Sequence, residues 1–173
     1  MEGSADNAPC KAGEGCCCST LSDLAVVRMG WDGLDERVFA TLERVLDHGG
    51  DLWWLYLSQC SICAQHWMIA QEERIYDDYF LRRLDAAQAQ AIIAHARWPD
   101  EFITYERVLK LGRTLSSPYT YVEALSPGLV DTAKDLRRAR PEITVEEIAD
   151  LLGISPRHAA RLLGIGRWKW PWR

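Results

Sequence analysis

The chain lacks any long hydrophobic run: the longest is six residues, Leu52 to Leu57. A bilayer-spanning helix needs about twenty, so no membrane role is expected. The opening MEGSADNAPCKAGEGCCCST has acids and glycines where a signal peptide has a basic start and an apolar stretch. A cytoplasmic protein is expected, in a compartment that keeps thiols reduced. Glycine-rich phosphate loops, His-Glu-x-x-His and Gly-x-Ser-x-Gly are missing, as are internal repeats. Zinc deaminases pair Pro-Cys-x-x-Cys with an upstream His-x-Glu. Here Ser-Gln precedes Cys60 and Gly49-Gly50 follows His48, which argues against that chemistry. A non-enzymatic protein is expected.

What is present is enough apolar material for one domain or two small ones, with 48% hydrophobic residues in 173. The net charge of −5 hides an asymmetry. Residues 1–133 carry 11 Lys+Arg against 20 Asp+Glu, and residues 134–173 carry 9 against 5. An acidic body with a basic tail suggests two contact surfaces.

The six cysteines carry the first motif. Short apolar runs rich in Trp, Tyr and Leu flank QCSICAQHW, residues 59–67, and read as two strands joined at the cysteines. Cys-x-x-Cys at a hairpin tip aims both sulfurs at one point, as in a zinc knuckle. A thioredoxin-type motif needs strand and helix alternation around it, which is missing. Structural zinc takes four ligands. The run Cys16, Cys17, Cys18 is the obvious source of two more, and adjacent residues rarely reach one metal together. The expected set is therefore Cys16, Cys18, Cys60 and Cys63 around zinc, with His66 as the alternative ligand and Cys10 a weaker one. Reduced cysteines packed as small hydrophobes are the competing explanation.

Along the chain, residues 1–20 read as a flexible Cys-containing lead-in. Leu34, Val38, Leu42, Val45 and Leu46 recur at helical spacing, predicting one helix from Leu34 to about His48. Asp85 with Gln88 predicts a capped helix that Trp98-Pro99 ends, and ITYERVLKLG predicts a shorter one closing on Gly112. RTLSSPYTYVEAL reads as a linker. Ser126-Pro127 opens a helix through Ala139. Thr144 and Glu147 cap the next, Gly153 ends it, and Ser155-Pro156 caps a last helix to about Leu163. Two short helices joined by a glycine turn form a helix-turn-helix.

The acids Glu72, Glu73, Asp77 and Asp78 read either as a solvated face or as a negative patch for a basic partner. In the second case Tyr76, Tyr79 and the nearby Trp53, Trp54 and Trp67 would be its apolar anchors. The ending GIGRWKWPWR interleaves Trp168, Trp170 and Trp172 with Arg167, Lys169 and Arg173. Such a tail can stack on bases, meet a membrane surface, enter a protein groove or fold back on the helices.

Residues 144–164 resemble the bacterial helix-turn-helix family of DNA-binding proteins. That resemblance implies a second helix in the major groove, with Pro156, Arg157, His158 and Arg161 near its exposed N-terminal face. A zinc knuckle followed by such a unit resembles a class of bacterial antitoxin, with a zinc domain that holds the toxin and helices that bind the operator. The run DLWWLYLSQCSICAQHWMIAQEERIYDDYFLRRL also resembles small bacterial immunity proteins. The expected fold is α+β, mainly α: a small zinc-knuckle β-hairpin packed with helices over residues 21–115, then a helix-turn-helix bundle with its Trp-rich tail over residues 116–173. The expected function is neutralisation of a bacterial toxin by binding it through Trp53, Trp54, Trp67, Glu72, Glu73, Tyr76, Asp77 and Asp78. The alternative is a transcription regulator binding operator DNA. The charge and exposure of the second helix of the motif discriminate the two.

Overall fold

The computed structural model describes residues 15–48, 54–114 and 125–165. The chain divides into two compact units, Met1–Glu72 with Asp78–Thr104, and Glu73–Asp77 with Tyr105–Arg173.

The first unit is built on a five-stranded antiparallel sheet, which corrects the expected hairpin packed with helices. The strands are β1 (Leu24–Arg28), β2 (Leu42–Asp47), β3 (Leu55–Cys60), β4 (His66–Glu72) and β5 (Asp78–Leu84), in the order β1-β5-β4-β3-β2. The predicted hairpin is real: β3 and β4 pair with Leu57 opposite Met68 and Gln59 opposite His66. It is the middle of a larger sheet. Leu55, Leu57, Met68, Ile69, Ala70, Phe80 and Leu81 are all buried, so both faces of the central strands are covered. This is why they read as continuous apolar runs rather than alternating ones.

The predicted helix from Leu34 to His48 is two elements. Helix α1 (Leu34–Phe39) stops at Ala40, and β2 begins at Leu42. As an edge strand, β2 is mostly exposed, and its register shifts between Arg44 and Leu46. Its apolar residues therefore lack the period of two that marks a half-buried strand. Helix α2 (Ala86–His95) starts where expected, with both arms of the Asp85–Gln88 capping box formed.

The second unit contains α3 (Tyr105–Thr114), α4 (Pro127–Ala139), α5 (Val145–Leu152) and α6 (Pro156–Leu162). Residues Glu73–Asp77 belong to this unit, and Ile75 and Tyr76 join its core with Leu109, Leu129, Leu136, Ile148 and Leu152. The Tyr76 hydroxyl donates to the Leu151 carbonyl oxygen. Gly112 does not end α3, as expected, but lies within it. A Cβ there would sit 2.4 Å from Cδ2 of the Tyr76 ring, so the glycine is a slot for that ring. The helix-turn-helix forms as predicted. Thr144 and Glu147 exchange both capping bonds, Gly153 adopts the left-handed conformation at φ 65°, and the Ser155 side chain accepts from the His158 N–H.

Candidate metal centre and helix-turn-helix face

Cys16, Cys18, Cys60 and Cys63 converge, with all four sulfurs within 4.8 Å of one another. These are the four residues chosen from spacing. His66 is not among them: it is half-buried at the start of β4, opposite Gln59. Cys10 lies outside the described residues.

The hairpin tip explains one half of the site. Cys60 ends β3, its N–H donates to Gln65 O at 2.9 Å, and Ala64 N–H returns to Cys60 O at 2.9 Å. Ala64 sits at φ 61°, which folds the turn tightly. The other half is a single 3₁₀ turn, Cys17–Ser19. Arg83 of β5 anchors it, donating to the carbonyls of Cys18 at 2.8 Å and Leu21 at 2.7 Å. Its guanidinium also reaches Asp23 and Gln65 and lies 4.5 Å from the centre of the Trp67 ring. Cys17 turns into the core with Leu21, Val27, Val38 and Ile69.

The electrostatics of the four sulfurs differ. Burial works against ionisation of Cys60, but the backbone N–H of Cys63, the Thr41 hydroxyl and the backbone N–H of Ile62 outweigh it and bring its pKa down to about 6. Cys60 Sγ and Thr41 Oγ1 are 3.6 Å apart. Burial pushes Cys18 well up, opposed by the Trp67 indole, whose Nε1–H donates to Cys18 Sγ at 3.3 Å. For Cys16, the Cys18 N–H favours the thiolate, yet desolvation and the neighbouring sulfurs of Cys63 and Cys60 leave its pKa raised. Four thiolates this close are stable together only around a cation. A tetrahedral ion with bonds of about 2.3 Å places its sulfurs about 3.8 Å apart, a spacing that the cluster's limit of 4.8 Å accommodates.

Thr41, Trp67 and Arg83 were not foreseen as part of this site. The one signal in the sequence is the pair Arg82-Arg83, two cations set between Phe80, Leu81 and Leu84 in a strand.

The residues expected on a partner-facing surface are mostly interior. Trp54, Trp67, Glu72, Tyr76 and Asp78 are buried, while Glu73 is exposed and Asp77 half-buried. Trp53 lies outside the described residues. Glu72 and Asp78 face each other across the β4–β5 ladder. Burial raises the Asp77 pKa, with the Glu73 charge adding to it.

On α6, Arg157 and Arg161 are exposed and His158 is half-buried. With Leu125, Ser155 and Ile165 they line an open concavity of about 970 Å³. Beneath, Ile148, Ala149, Leu152, Ala159 and Leu162 are core. Arg140 holds the unit together from the side, reaching Glu147 at 2.9 Å and Glu106 at 3.1 Å. Trp168, Trp170 and Trp172 lie outside the described residues. No helix among the described residues is long and apolar enough to cross a membrane.

Comparison with protein-family models, with curated proteins and with solved structures finds no match.

Proposed function

We propose that this chain is a non-enzymatic DNA-binding regulator whose four-cysteine centre holds zinc as a structural clip. The observation that carries the DNA reading is the outward face of α6. Arg157 and Arg161 are both exposed, one helical turn apart, and no Asp or Glu occurs from Ser155 to Arg173. Such a face suits phosphate and the acceptor edge of guanine. The toxin-neutralising reading is less well supported, because five of its eight residues, Trp54, Trp67, Glu72, Tyr76 and Asp78, are interior.

The zinc reading rests on the donor set. Four sulfur ligands with no water-bearing position suit a closed structural site, and soft thiolates favour zinc over calcium or magnesium. The clip ties the turn at Cys16–Cys18 to the hairpin tip, closing a loop of roughly forty residues, an ordering of about 3 kcal/mol in chain entropy.

Two measurements test this. Fluorescence anisotropy against a randomised duplex pool should select a preferred site, and Arg157→Ala with Arg161→Ala should weaken its binding by about tenfold or more. A chain that binds no duplex at low salt refutes the DNA reading. Elemental analysis should find one zinc per chain, and a purified, folded protein free of zinc refutes the clip.

A further inference from the structure

We propose that Cys63 is an oxidative modification site, and that a peroxide converts the metal clip into a Cys16–Cys63 disulfide. The four sulfurs are not equally reachable. Cys18 and Cys60 are 5% and 1% exposed, and their sulfurs are held by the Trp67 indole and the Thr41 hydroxyl. Cys63 is exposed at the hairpin tip, and Cys16 is half-buried beside it. A reagent arriving from solvent meets Cys63 first, and the least enclosed of its neighbours is Cys16. Reactivity of a thiolate toward oxidants follows its exposure.

The chemistry is two steps. The Cys63 thiolate attacks the O–O bond of the peroxide. A sulfur–oxygen bond forms, the O–O bond breaks, sulfur gives up two electrons, and the departing hydroxide takes a proton to become water. The Cys16 thiolate then attacks the Cys63 sulfur. A sulfur–sulfur bond forms, the sulfur–oxygen bond breaks, and a second hydroxide leaves and is protonated. Two thiolates are oxidised and one peroxide becomes two waters.

The pairing has a consequence for the fold. Cys16 and Cys63 come from opposite halves of the clip, so their disulfide keeps the N-terminal turn tied to the hairpin when the ion is lost. A bond between Cys60 and Cys63 would stay within the hairpin and leave the turn held by Arg83 without a sulfur link.

The test uses the full chain as purified, with its metal content measured first. Hydrogen peroxide is added in substoichiometric steps, free thiols are blocked with N-ethylmaleimide, and peptides are mapped by mass spectrometry. The expected result is loss of the Cys16 and Cys63 thiols together, a peptide pair joined through them, and metal release in proportion. First modification at Cys18 or Cys60, or a Cys60–Cys63 link, overturns the proposal. In Cys16→Ala, Cys63 should stall as a sulfenic acid that dimedone traps, and the wild-type map decides the matter where this variant does not fold. The metal-release part rests on the zinc reading, so a chain purified without metal overturns that reading and that part, while the order in which the thiols are lost still decides the Cys16–Cys63 pairing.

Discussion

Replacing Gly112 by alanine sets two roles for that residue against each other. In a helix interior alanine is favoured over glycine by about 1 kcal/mol, so a glycine inside a helix with no packing role would be improved by the change. The structure gives the opposite sign. A Cβ at this position falls 2.4 Å from Tyr76 Cδ2 and 2.7 Å from Cε2, so the ring must retreat by roughly 1 Å to reach ordinary contact. Tyr76 has nowhere to go: it is fully buried and its hydroxyl is bonded to Leu151 O. Overpacking a core costs about 1–3 kcal/mol, and a strained or lost hydrogen bond adds about 1 kcal/mol. Against the gain in helix propensity, the net is a destabilisation of about 1–3 kcal/mol. Urea unfolding of the full chain, followed by far-ultraviolet circular dichroism, should show a lower midpoint for Gly112→Ala. Its penalty should shrink in a Tyr76→Leu background, where the ring is gone. An unchanged or higher midpoint for the single variant refutes the slot.

Three further outcomes are expected. Trp67→Phe keeps an aromatic ring in the core but removes the N–H that faces Cys18 together with part of the ring volume, so zinc affinity measured by chelator competition should fall by about tenfold, and an unaltered affinity would show that bond to be idle. Glu147 has its pKa held down to about 2 by the Thr144 N–H and the Arg140 guanidinium, below its ordinary value of 4.5. Its stabilisation is therefore complete above pH 4.5 and lost as pH falls toward 2. The stability difference between wild type and Glu147→Gln should be largest near neutral pH and vanish in acid, and a difference that does not change with pH contradicts the assignment. Ala64 holds φ 61°, a conformation that costs an alanine about 1 kcal/mol or more. Ala64→Gly should leave the hairpin as stable or raise its thermal midpoint, and a clear loss would mean that the methyl group contributes packing the turn depends on.

The parts legible in the sequence were those specified by local chemistry. The helix-turn-helix was readable because each boundary carries its own marker: Thr144 with Glu147, Gly153, and Ser155 with Pro156. The four-cysteine cluster was readable because alternate cysteines and a Cys-x-x-Cys leave few ways to bring four sulfurs together. The sheet was not readable, since pairing is a long-range property. Strand β1 joins β5 across some fifty residues, with Val27 opposite Tyr79, and nothing near either strand announces the other. The acidic segment misled for the same reason. Glu72 and Asp78 look like surface residues until strand pairing encloses them. Arg83 escaped notice because its partners are far from it in the chain and two of them are backbone carbonyls, which any residue can supply.

Arg83 has a consequence for how an ion enters and leaves. Its bonds to Cys18 O and Leu21 O and its place against Trp67 are independent of any ion. The Cys16–Cys18 turn thus has an anchor besides its sulfurs, and Arg83 supplies part of the ordering that a ligand loop without such an anchor would undergo on loading. A receptor assembled beforehand discriminates among cations by radius and preferred geometry rather than by which of them best drives folding. Under the zinc reading, exchange of one ion for another would involve the four sulfurs and leave the Arg83 anchor in place.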